Sequence, residues 1–232
     1  MANRLLERLR QNDKKGFFKP TQASISYQTG FAPLDYRNGY MIQVRDLNEK
    51  LIKEYPAIGV VGGTFITIIS KSGVGKTTFA TQVAANIVRP YENAFVHHHD
   101  IEQTMTYTRV KNITGFSHAE LDEKYIIKQE RTYIEDIFDS IMAIAKEKEA
   151  NKNDYMYDTG LVDEFNRPIY SYVQTVEIID SIPTLATRDT SAEMEGGTYS
   201  NRVAKAISQF YKRLMPVIKT YNITVIAINH IN

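Results

Sequence analysis

The sequence predicts an α/β domain built on a mostly parallel sheet flanked by helices. Two observations predict it: short β-branched runs alternate along the chain with segments of helical periodicity, and one of these runs passes through a glycine-containing turn directly into a helix. Size and composition agree. The 232 residues are 43% hydrophobic and 24% charged, enough to bury a core of ordinary size, and the formal net charge is +1. A near-neutral balance argues against a small, wholly basic nucleic-acid module but leaves room for a local basic face. Cysteine is absent, which excludes disulfides and thiolate metal sites. Charges interrupt every apolar pair in the first twenty residues, so no signal-peptide core is present there. The longest uncharged apolar stretch, 57–70, is shorter than the roughly 20 residues a membrane span requires. The expectation is a soluble cytoplasmic protein with no membrane partner.

The elements follow in order. Residues 1–24 read as a basic helix and linker, with Leu5, Leu6 and Leu9 forming a small apolar stripe among Arg4, Arg8, Arg10, Lys14, Lys15 and Lys19. Residues 25–232 read as one core domain, with 41–57 as an insertion ahead of the glycine turn. The run TFITII, 64–69, is a buried strand. A helix follows over 77–88, with Phe79, Val83, Ala84 and Ile87 on its apolar side and Pro90 beyond its end. A strand over 94–98 leads into HHHDIEQ, a short helix follows, and YIIK (125–128) is the next strand. Thr132 and Glu135 predict a capping box for a helix whose buried face is Ile134, Ile137, Phe138, Ile141, Ile144 and Ala145. The Tyr-rich segment within 151–173 predicts an inserted hairpin turning near 163–168. TVEIID (175–180) is a strand in which Glu177 is out of character with a wholly apolar face. A loop over 184–201 leads to a helix with Val203, Ile207, Phe210, Leu214 and Ile218 on one side and a kink expected at Pro216. ITVIAIN (223–229) closes the chain as a strand expected to present an unpaired edge.

The chemistry concentrates at the turn. Ser70-Lys71-Ser72-Gly73-Val74-Gly75-Lys76-Thr77 follows the phosphate-binding pattern G-x-x-x-x-G-K-[ST], with Ser in place of the first Gly. Gly73 and Gly75 let successive backbone N–H groups face one concavity, and the helix that opens with Thr77 and Thr78 adds its N-terminal positive end. Lys76 supplies a charge for the β- and γ-phosphates of ATP, and the Thr77 hydroxyl is placed to ligate Mg²⁺. Asp180, ending an apolar strand, is the expected second Mg²⁺ ligand. Glu102, just beyond the strand carrying the histidines, is the expected water-activating base, with Asp100 its rival. His97, His98 and His99 are consecutive strand residues whose side chains alternate between faces, so three imidazoles are not expected to converge on one ion.

Together TGFAPLDYRNG (29–39), SKSGVGKTT, AFVHHHDIEQTMTYTRV, VEIIDSIPTL, ISQFYKRL and VIAINH resemble the RecA family, and more narrowly phage recombinases of the UvsX type. The resemblance spans most of 25–232. It implies a RecA-like ATPase core in which Lys76, Thr77 and Asp180 take nucleotide and Mg²⁺ and Glu102 activates water. It also implies that Tyr107 packs on adenine and that His230 senses the γ-phosphate. The loop around 187–201, flanked by Arg188 and Arg202, takes the place of a DNA-binding loop, and the N-terminal helix takes that of an arm packing on a neighbouring subunit. The function implied is a single-stranded-DNA-binding recombinase that self-associates into filaments for homologous recombination and repair. A hexameric helicase motor of the DnaB type, assembling as a ring, and a nucleotide-dependent loader subunit are the alternatives. The family's second DNA-binding loop and later strands would lie past Asn232, so the resemblance implies a truncated chain with weak ATPase activity.

Overall fold

A computed structural model describes residues 25–46, 48–130, 132–163, 165–188 and 198–231; for 198–204 only the helical backbone is described. The N-terminal basic helix, and most of the expected DNA-binding loop, lie outside the described residues.

Eleven strands and seven α-helices are found among the described residues. The strands are β1 (Ser26–Tyr27), β2 (Tyr40–Arg45), β3 (Leu51–Ala57), β4 (Val60–Val61), β5 (Phe65–Ser70), β6 (Phe95–Asp100), β7 (Tyr125–Lys128), β8 (Met156–Val162), β9 (Pro168–Tyr172), β10 (Thr175–Asp180) and β11 (Ile223–His230). The helices are α1 (Ala32–Arg37), α2 (Lys76–Val88), α3 (Tyr107–Thr114), α4 (His118–Lys124), α5 (Ile134–Ala150), α6 (Lys152–Tyr155) and α7 (Thr198–Thr220).

The central sheet has five strands in the order β5-β11-β10-β6-β7, all parallel. Parallel neighbours require crossovers, and the intervening helices cover both faces. Alternation along β10 assigns the faces. Val176 and Ile178 pack with Val96, Ile226 and Ile228 against Ala80, Val83, Ala84 and Ile87 of α2. Ile179 joins Val225 and Ala227 against Ile137 and Ile141 of α5 and Phe210, Leu214 and Ile218 of α7. Each fully buried Val, Leu or Ile side chain among them contributes about 1.5–3 kcal/mol.

The register brings the C-terminal ends of four neighbouring strands to one edge: Asp180 is opposite Asp100, and His230 is opposite Ser70. Crevices at that edge are where open α/β sheets place ligands.

Two hairpins leave this body. β2 and β3 pair antiparallel across the 41–57 insertion. β8 and β9 form the expected Tyr-rich hairpin, turning through Asp163–Arg167. Asp35 anchors the start of the domain, accepting from the Thr29 amide and hydroxyl and the Gly30 amide.

Four expectations are corrected. The closing strand, β11, lies inside the sheet between β10 and β5, so among the described residues the open edge on that side belongs to β5. α5 starts one residue later than the Thr132–Glu135 box implies. Its first amide is held by the Ala186 carbonyl, and the Asp136 carboxylate accepts from the Tyr133 amide, while the Thr132 hydroxyl donates to the Glu130 carbonyl. Two helices, α3 and α4, stand where one was expected. The strand carrying the histidines continues through Asp100. Pro216 lies inside α7. No helix among the described residues is long and apolar enough to cross a membrane.

Candidate functional site

The turn between β5 and α2 is open on its outer side. Gly73 and Gly75 sit at φ +78° and +91°, the left-handed region that side-chain-bearing residues avoid, and a Cβ at either would meet no atom of the described residues within 4 Å. The bend therefore needs glycine for its backbone shape and keeps the space over the helix N-terminus free. Gly75 caps α2, so the first α2 amides face that space without a side-chain acceptor. Lys71, Ser72, Val74 and Thr78 are exposed around it. Lys76 is buried, and its Nζ donates to the carbonyls of Ser70 (3.1 Å) and Lys71 (2.7 Å), which holds the ammonium beneath the turn.

Across the sheet edge, the Thr77 hydroxyl donates to Asp180 Oδ2 at 2.6 Å. Burial pushes the Asp180 carboxyl above its usual range. The Thr77 hydrogen bond opposes this, the charges of Glu102 and Asp100 add to it, and His230 offsets part. A carboxylate raised by burial and by like charge is the one a cation would relieve. Hydroxyl and carboxylate oxygens are the hard donors Mg²⁺ prefers. The glycine cradle, the Lys76 ammonium and the Thr77–Asp180 pair thus fit a Mg²⁺-bound polyphosphate.

Glu102 lies in the turn just past β6. Its Oε1 accepts from the Ser181 hydroxyl at 2.7 Å and pairs with His230 Nε2 at 3.1 Å. The latter contact requires the proton on Nε2. Both partners converge on one oxygen, and Oε2 has no hydrogen bond among the described residues.

Asp100, the rival, is wholly buried. Its carboxylate accepts from the Thr104 amide (3.1 Å), the Met105 amide (2.8 Å) and Gln129 Nε2 (2.7 Å). It organises the turn that presents Glu102, and its lone pairs are already engaged. His98, on the same face, bonds the Tyr125 hydroxyl through Nδ1 at 2.9 Å. Burial drives its pKa down to about 4, with Asp100 opposing, so it is neutral at pH 7. Its Nε2 lies 3.9 Å from Asp180 Oδ2, too long for a hydrogen bond, and a neutral ring forms no ion pair there.

The structure therefore brings Ser70, Lys76, Thr77, Asp180, Glu102 and His230 to one edge. Tyr107 instead opens α3, where its hydroxyl bonds His118 Nδ1 (2.9 Å) and its ring stacks on that imidazole at 5.6 Å. Arg188 is held by carboxylates of α5, pairing with Asp136 and, at 3.3 Å, with Asp139, while its amide donates to Glu135. A DNA phosphate would compete with those carboxylates for the guanidinium. Arg202 lies on α7, in the stretch where only the backbone is described.

Sequence reasoning missed Ser181 and the part played by Asp100. The Asp-Ser pair ending β10 was the available signal for the first; the second depends on Gln129, distant in sequence. A separate cavity of about 470 Å³, lined by Tyr27, Asn86 and Tyr91 among others, lies away from these groups. No protein-family profile and no curated protein matches the chain.

Proposed function

We propose that this chain is the ATPase core of a RecA-like recombinase, resembling the phage UvsX type, that binds single-stranded DNA and assembles into filaments under control of ATP. The observation that carries the reading is the convergence of the glycine turn, Lys76, the Thr77–Asp180 pair and the Ser181–Glu102–His230 chain on one sheet edge. A five-stranded parallel sheet flanked by helices is the scaffold such a core requires.

Backbone amides of the turn and the α2 N-terminus bind the phosphates, and Lys76 adds charge where the β- and γ-oxygens would lie. Thr77 and Asp180 would hold Mg²⁺, which supplies charge neutralisation at the transferring phosphoryl group. Glu102 orients a water through its free Oε2 and accepts its proton as the γ-phosphate is attacked. Ser181 and His230 fix the carboxylate on its other oxygen. His230 reaches Glu102 from the end of β11, across the end of β10, so a change in the phosphate site reaches β11 through a single hydrogen bond.

Electron microscopy of the chain with single-stranded DNA and ATP tests this. ATP-dependent filaments on the DNA are expected. Closed six-membered rings would replace this reading with the helicase motor, and nucleotide-dependent oligomers indifferent to DNA would replace it with the loader subunit.

A further inference from the structure

The face of β6 and β10 turned away from the phosphate turn carries a second polar cluster. His97 and His99, two residues apart on β6, point to the same side, and Glu177 of β10 lies between them. His99 Nε2 is 2.8 Å and His97 Nδ1 3.3 Å from Glu177 Oε2. Their rings lie 4.3 Å apart, and the three ligating atoms fall within 4.8 Å of one another. His99 and Glu177 are wholly buried, and the His97 side chain is 13% exposed. Among the described residues, Glu177 Oε1 has no hydrogen-bond partner, nor has His99 Nδ1. A carboxylate oxygen left bare in a sheet interior is costly, and a bound cation removes that cost.

We propose that His97, His99 and Glu177 form a structural site for a zinc-like divalent cation. Two imidazoles and one carboxylate are a donor set suited to zinc and its neighbours, and unsuited to Mg²⁺ or Ca²⁺, which take oxygen. Tetrahedral ligands about 2.0–2.1 Å from zinc lie roughly 3.4 Å apart. The His97–Glu177 separation already meets this, and the His99–Glu177 separation needs to open by roughly half an ångström, a small rotamer change. The Ser140 hydroxyl, 3.2 Å from His97 Nδ1, stands beside the fourth position, where it or a water completes the set. The alternation that keeps His98 out of this group is what permits the other two to meet. Such a cation clips β6 to β10, the strands whose ends present Glu102 and Asp180, without touching either residue.

The test uses the untagged chain, stripped with chelator, free of nucleotide and dialysed against low micromolar Zn²⁺. One equivalent of zinc retained by the wild type, and by Asp180→Asn as a control for the phosphate site, is expected. Retention should be weakened at least about tenfold in folded His97→Ala and Glu177→Gln. No zinc on the folded wild type, or equal retention by these two variants, overturns the proposal. Should both variants fail to fold, the wild type loaded with Co²⁺ decides it. An intense tetrahedral visible spectrum supports the site, and a weak octahedral one overturns it.

Discussion

Replacing each of the two acidic residues beside the β6 end by its amide separates the chemistry from the scaffold. Asp100 is buried and accepts four hydrogen bonds, from two backbone amides, Gln129 and, at 3.5 Å, the Thr104 hydroxyl. In Asp100→Asn only one oxygen remains. If it serves Met105 and Gln129, the new NH₂ confronts the Thr104 amide, leaving a buried donor unsatisfied at a cost of about 1–3 kcal/mol. The bonds that survive also lose their charge-assisted strength, so a total of roughly 2–4 kcal/mol is expected. In a chain of this size that lowers Tm by roughly 5–15 °C. Glu102 is partly exposed and keeps an acceptor oxygen for Ser181 as Gln, so Glu102→Gln should cost under about 1 kcal/mol. It should nevertheless reduce single-turnover ATP hydrolysis by roughly 10², the loss expected for a general base. Thermal melts by circular dichroism and single-turnover assays on both variants measure the contrast. A folded Asp100→Asn without hydrolysis beside a Glu102→Gln that turns over normally would refute the assignment.

Three further outcomes follow from the same geometry. Gly75→Ala forces a Cβ onto a left-handed residue at about 1–2 kcal/mol, yet meets no atom of the described residues; melts should show a modest loss, while binding of a fluorescent ATP analogue should drop far more. His230→Ala removes one of the two groups fixing Glu102 Oε1, so hydrolysis should slow while ATP affinity holds, read as a kcat loss at unchanged KM. Burial lowers the Lys148 ammonium to about 7, with Glu177 opposing, while its Nζ donates to the carbonyls of Val173 and Tyr221. The unfolded chain therefore binds that proton more tightly, and stability should rise with pH from about 7 towards 10, at up to ~1.4 kcal/mol per unit. Chemical denaturation with chelator present should show a flatter profile in Lys148→Met.

What was legible in the sequence is what local pattern dictates. The β-branched run, the glycines and the Gly-Lys-Thr start of α2 are contiguous, so strand, turn and helix could be read together. The apolar face of α5 was readable because Ile134, Ile137, Ile141 and Ala145 repeat at helical spacing and are all buried. Its first turn was misread because Tyr133 pairs with Ala186, a partner fixed only by the tertiary fold. The open edge was misassigned for a related reason: β11 comes last in the chain but inserts between β10 and β5, and strand order is a long-range property. At the site, residue types pointed to Lys76, Thr77, Asp180 and Glu102. The choice of Glu102 over Asp100 needed the hydrogen-bond partners of both. The histidine run illustrates both sides: strand alternation excluded a three-imidazole site, but pairing His97 and His99 with Glu177 required the β6–β10 register.

The most direct measurement of the central claim is the binding of Mg-ATP at equilibrium to the wild type and to Lys76→Ala, by titration with a fluorescent analogue. Lys76 sits beneath the turn on two carbonyls of its own loop. The account predicts saturable, Mg²⁺-dependent binding by the wild type and at least a tenfold loss, about 1.4 kcal/mol or more, in the variant with its fold intact by circular dichroism. Equal affinity in the two chains, or no binding by the wild type, would contradict it.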